Sequence, residues 1–303
     1  MGKKAISTAL LIALIMLSLG VINPEPAKAQ SSERISINAD GSVTGTNNIQ
    51  RNGNVYTLTA NISGGIQVQR SHIIIDGAGY AVEGNREGRG IDLYTGRGQN
   101  PSPIFNVTVK NMRIINFNHG IDSANSYNNS FVDNYVADCS VGVWLLASSE
   151  NGFANNTITL NTIQNNIEGI HLDYSGKNVV ITENNLINNG INVYVFLSQQ
   201  PNVDRNYWSD YTTKYQNAKE VGNTGVWDTP YEYSEGTVDN NPLTKPIGIS
   251  LENNSESDGT EAAIPSTEPF PTMIVIAAFG ASVAVIGFGL FLNFSRRGRS
   301  RKQ

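Results

Sequence analysis

The stretch Asn156-Thr-Ile-Thr-Leu-Asn161, followed by Gly169-Ile170, decides how this chain is read. Two Asn bracket a four-residue run dominated by β-branched side chains. Such a run favours a short strand, and Asn tolerates the left-handed backbone angles of a tight turn. The bracket recurs as Asn106 to Asn111 and Asn129 to Asn134. Asn178 to Asn184 is one residue longer and Asn202 to Asn206 one shorter. The Gly-aliphatic pair recurs too, as Gly65-Ile66, Gly90-Ile91, Gly120-Ile121, Gly142-Val143, Gly169-Ile170 and Gly190-Ile191, at spacings of 25, 30, 22, 27 and 21. No apolar period of 3.6 residues runs between Ser31 and Pro246, so helix is the poorer reading there.

A repeat of that size signals stacked supersecondary units that share one continuous core. Short strands joined by polar turns, one coil per repeat, describe an all-β chain: a right-handed, single-stranded parallel β-helix, or solenoid. Equivalent residues then stack about 4.8 Å apart. Repeated Asn can form hydrogen-bonded ladders inside the turns.

The ends carry different signals. Lys3 and Lys4 precede an apolar run from Ala9 to Val21 and then Ala27-Lys28-Ala29. This is the pattern of a secretory leader, residues 1–29, cut before Gln30. Residues 272–294 carry no charge and are long enough to cross a bilayer as one helix, which needs about 20 residues. Arg296, Arg297, Arg299, Arg301 and Lys302 follow, and positive charge there places the tail, 295–303, in the cytoplasm and the rest outside. Residues 247–271 read as a polar stalk. Between leader and stalk the expected order is an N-terminal strand or cap region (30–64), the coils (65–211) and a C-terminal cap (212–246).

Within each coil, residues at Gly+1 and Gly+3 face one way and those at Gly+2 and Gly+4 the other. The first set is aliphatic almost throughout, as in Ile121, Val143, Leu145, Ile170 and Leu172, and makes the interior. The outward column reads Gln67, Asp92, Asp122, Trp144, His171 and Asn192 at Gly+2, with Tyr94, Asp173 and Tyr194 among those at Gly+4. Aromatic platforms beside carboxylates and amides suit the apolar C–H faces and hydroxyls of sugars. Tyr94, Trp144, Asp173, Asn192 and Tyr194 are therefore candidate glycan contacts. Asp92 and Asp122, on adjacent coils, stand at the separation of a retaining glycosidase pair and, with His171, are the candidate catalytic residues.

Other chemistries find less support. The single cysteine, Cys139, excludes an internal disulfide and a thiolate cluster. His72, His119 and His171 fall in three contexts without ligand spacing, so neither metal nor cofactor is expected. The net charge is −5 with no basic cluster in the coils, which argues against nucleic acid.

After the coils come Asn206-Tyr-Trp-Ser-Asp-Tyr211, Trp227-Asp-Thr-Pro-Tyr231 and Asp239-Asn-Asn-Pro-Leu243. With the Asn-rich coils before them, these strings closely resemble the NosD-type right-handed β-helix family, in its surface-anchored archaeal type. The likeness covers roughly residues 66–246. The family is named for periplasmic copper-binding proteins, and its fold is grouped with carbohydrate-binding and sugar-hydrolysing domains. The resemblance implies the fold and no particular reaction. The Asn-Thr-Asp, Asp-Asp, Gly-His-Gly and Arg-Ile-Lys strings of pectin-cleaving β-helix hydrolases are absent.

The reading is a membrane-anchored extracellular β-helix, a surface-binding or cell-envelope structural module with a glycan-contacting face. Its expected partners are a polysaccharide or envelope glycan and the membrane, the latter through its own C-terminal helix. The alternative is a polysaccharide-active enzyme, a glycoside hydrolase or lyase, using Asp92 and Asp122.

Overall fold

The structure, a computed structural model, describes residues 34–93, 103–146, 155–174 and 178–248, all within the unit Arg34–Gln303. The leader, the stalk beyond Gly248, the membrane helix, the basic tail and Tyr94 lie outside the described residues. No helix among the described residues is long and apolar enough to cross a membrane.

The fold is a parallel β-solenoid of the right-handed type with about six turns. Each coil lays one strand in each of three sheets. In one coil these are Val141–Leu146, Thr157–Thr159 and Thr162–Gln164; the next contributes Glu168–Asp173, Val180–Thr182 and Asn185–Ile187. Successive coils pair in parallel and in register: Val143 meets Ile170, Ile158 meets Ile181 and Ile163 meets Leu186. All six are at most 1% exposed and lie in the single buried core.

The bends between sheets explain the Asn. Each bend places one residue at positive φ and turns the next one inward. Asn155, Leu160 and Asn165 take φ of 60°, 58° and 55°, and Asn156, Asn161 and Asn166 follow them, each 1% exposed. An inward amide would be costly alone, so the amides bond to one another. At the second bend Asn134 donates its backbone N–H to Asn161 Oδ1 at 3.0 Å, Asn161 likewise to Asn184, and Asn184 to Asn206 Oδ1 at 2.9 Å. The first and third bends repeat this from Asn129 to Asn156 and from Cys139 through Asn166 to Asn189. Asn106 and Asn111 are not rungs: both take positive φ, and Val107 and Met112 occupy the inward places.

The glycines answer a second constraint. A Cβ on Gly142 would lie 2.5 Å from the carbonyl oxygen of Gly169 in the next coil, so only glycine permits that approach.

The stack departs from the repeat at both ends. Ile35–Ile37 already pairs in parallel with Ile66–Val68, a coil earlier than the first Gly-aliphatic pair, because Arg34 stands where later coils carry glycine. In the last coil Val193 stacks on Ile170, and Tyr194 on His171. Asn192 therefore falls in the glycine row, and Tyr194 takes its place in the outward column. Beyond the final strand, Tyr207–Trp208, come a one-turn helix at Tyr211–Lys214 and an antiparallel pair, Tyr231–Ser234 with Thr237–Asp239. Trp208 stacks on Tyr231 at 4.1 Å and Tyr211 on Trp227 at 5.0 Å.

Candidate binding face on the first sheet

The outer surface of the first sheet collects most of the candidate residues. Parallel register aligns Gln67, Asp92, Asp122, Trp144, His171 and Tyr194 in one row, with Leu146, Asp173 and Phe196 aligned two residues further along. A third row, one residue before the glycine row, holds Arg89, His119, Val141, Glu168 and Ile191. Sequence reasoning left this row out of the site. Its residues reach across the glycine to the position three further on. Arg89 pairs with Asp92 at 3.9 Å, His119 Nδ1 with Asp122 at 3.0 Å, and Glu168 with the Nδ1 of His171. The signal was present in Arg-Gly-Ile-Asp92, His-Gly-Ile-Asp122 and Glu-Gly-Ile-His171, each a complementary pair bracketing Gly-Ile.

The face divides into two halves. On the N-terminal side, Asp92 and Asp122 are 3% and 0% exposed. Arg34 bonds Asp92 at 2.8 Å, and the Arg89 guanidinium also binds Asp122. Both carboxylates are thus tied into a network of two guanidiniums and an imidazole rather than facing an open cleft. A hydrolytic pair needs one protonated acid and one carboxylate within reach of substrate, and two buried carboxylates tied to guanidiniums are poorly placed for either role. They act as charged supports under the face.

The C-terminal side is built of rings. His119 meets Trp144 edge-on at 4.3 Å between centroids, and Trp144 meets His171 at 6.1 Å. His171 meets Tyr194 at 4.8 Å, and Tyr194 stacks on Phe196 at 6.5 Å with a 5° tilt. Trp144, His171 and Tyr194 are half-buried, and Phe196 is exposed. Burial pushes the Asp173 carboxyl above its ordinary range, while nearby His171 pulls it down. The indole Nε1 of Trp144 and Oδ1 of Asp173 are shielded from solvent without a hydrogen-bond partner among the described residues. Asn192 stands apart, bonded to Asp210 and Tyr231 of the cap at 3.3 Å each.

Stacked parallel coils, Asn ladders and one ring-bearing outer face define a parallel β-helix protein. Residues 23–259, more than half of the chain, match the family model described as "Periplasmic copper-binding protein (NosD)", and the chain belongs to that family. That description makes it a periplasmic or extracellular β-helix protein. No curated protein matches the chain, and no solved structure does.

The family description raises copper, and the described residues do not fit it. Copper sites gather several imidazole, thiolate or thioether donors. Among the described residues no group of three or more His, Cys, Asp or Glu side chains is arranged to hold a metal ion. His119 and His171 stand on either side of Trp144, His72 packs against Phe105 instead, and Met112 is fully buried. Cys139 is also buried, and burial pushes its thiol up to about 11, away from the thiolate a metal requires.

Proposed function

We propose that the outer face of the first sheet binds carbohydrate, making this a glycan-binding module outside the cytoplasm. The observation that carries the reading is the ladder of rings, Trp144, His171 and Tyr194, rising one coil at a time beside Glu168 and Asp173, with Phe196 on the same strand as Tyr194. Ring faces stack on the C–H faces of sugars. The carboxylates accept hydrogen bonds from their hydroxyls. A rigid sheet presents these groups without ordering a loop, which lowers the entropic cost of binding. Tethering by residues 272–294 would hold this face at the cell surface.

The test is a binding screen of the purified chain against envelope and storage polysaccharides, with Trp144→Ala alongside. Retention of one or more glycans by the wild type, lost in Trp144→Ala, supports the module. No retention across a broad panel removes it and leaves a structural role. The tether is checked separately by membrane fractionation of the chain with and without residues 272–303. Equal partition of both forms would rule it out.

A further inference from the structure

We infer that the face takes an extended, uncharged β-1,4-linked glycan laid parallel to the solenoid axis, one sugar per coil; this rests on the carbohydrate reading above. Three observations lead there. The rings climb the stack instead of running along a strand: Trp144, His171 and Tyr194 are direct register partners on three successive coils. Register partners are about 4.8 Å apart, close to the advance of one sugar in a straight glycan chain. A β-1,4 linkage keeps the chain straight and its sugar faces flat, whereas α-linked chains curl away from a linear row.

The charges select the chemistry. Among the described residues of coils 141–146, 168–173 and 191–196 the outward side chains are Val141, Trp144, Leu146, Glu168, His171, Asp173, Ile191, Tyr194 and Phe196. They include two carboxylates and no Lys or Arg. The guanidiniums of the face lie further back, where Arg34 and Arg89 are already bound to Asp92 and Asp122. A uronic-acid polymer would therefore bring its carboxylates against Glu168 and Asp173 with no free cation among the described residues of these coils to receive them. Like charges so placed cost affinity and exclude the wrong partner. Hydroxyl and N-acetyl groups instead offer donors to the carboxylates.

The experiment is calorimetric titration of the full chain with β-1,4-linked glucose and N-acetylglucosamine oligomers of one to six sugars, and with oligogalacturonates of the same lengths. The inference predicts that affinity for at least one neutral series rises about ten-fold or more from one sugar to three, then levels. It predicts oligogalacturonates at least ten-fold weaker at low salt. Equal or tighter binding of oligogalacturonates, or no gain with length, overturns it. If neither neutral series binds while the wider screen finds another glycan, this inference falls and the carbohydrate reading stands. If the wider screen is also empty, the carbohydrate reading falls with it.

Discussion

Asp239 Oδ2 accepts the backbone N–H of Asn206 at 2.9 Å, placing a cap carboxylate at the end of a ladder that each earlier coil fills with the next Asn. The same oxygen takes the indole N–H of Trp208 at 3.1 Å, and Oδ1 takes the backbone N–H groups of Arg205 and Asn241 at 3.0 Å each. The last coil thus ends without orphaned donors at its second bend, and the cap is chemically continuous with the stack. Asp239→Ala leaves these buried donors open at roughly 1–3 kcal/mol for each group not reached by water. Asp239→Asn keeps an acceptor and should recover part of the loss. Urea melts of the three proteins check this, and equal midpoints for the two variants would contradict it.

The ladder predicts a sharp cost within the coils. Asn161 accepts from the backbone and side chain of Asn134 and donates to the carbonyl of Phe131. Asn161→Leu has similar volume but strands those partners, and should destabilise by about 3 kcal/mol or more. Exposed Asn178, whose φ of 63° imposes on a leucine only the left-handed cost, should lose less in the same change, about 1–2 kcal/mol. Thermal melts that rank the two the other way would refute the ladder as a stabilising device.

Gly142→Ala tests the close approach of coils. The added methyl meets the Gly169 carbonyl at 2.5 Å, so the coils must part locally at roughly 1–3 kcal/mol. Gly53, with open space around its Cβ position, controls for crowding: Gly53→Ala meets nothing, although its φ of 61° carries a left-handed cost of about 1–2 kcal/mol. Amide exchange should rise in strands 141–146 and 168–173 for the Gly142 variant and stay local for Gly53.

Cys139 gives a pH signature. Its thiol ionises near 9.0 when unfolded and near 11 when folded, because burial penalises the thiolate. Between those values the folded chain keeps a proton that the unfolded chain has lost. The thiol's contribution to stability is therefore complete below pH 9 and declines as pH rises toward 11, by about 2–3 kcal/mol. The difference in stability between wild type and Cys139→Ala should shrink by that amount over this range. A difference flat in pH would mean the thiol is not buried in this way.

Arg89 supports the charged half of the face. Its removal leaves Asp122, which is fully buried, with His119 alone. Arg89→Ala should cost about 3 kcal/mol or more, and adding Asp122→Asn should restore part of it. Additive losses in a double-mutant cycle would show that the two side chains are not coupled.

How much of this was legible in the sequence follows from symmetry. The interior was, because Gly+1 and Gly+3 are aliphatic in coil after coil and burial leaves no other face for them. The last coil was misplaced for a physical reason: a slip of two residues keeps every side chain on its own face, so alternation alone cannot detect it. Gly190-Ile191 mimics the repeat, yet Gly190 packs against Ile167 and Val193 takes the core position. That slip turned Asn192 toward the cap and brought Tyr194 into the row of Trp144. His119 and Glu168 were missed because strict alternation assigns the residue before the glycine to the inner face. Only the recurring complementary pairs hint that those side chains rejoin the outer surface.

The most direct test of the glycan-binding face compares Trp144→Ala with Trp227→Ala in titrations of a glycan retained by the wild-type chain. Trp144 stands in the outward row of the first sheet, while Trp227 stacks on Tyr211 in the cap. Binding weakened about ten-fold or more by Trp144→Ala and little changed by Trp227→Ala is the predicted result. Equal weakening in both, or none in Trp144→Ala, would contradict the assignment of the first sheet as the binding surface.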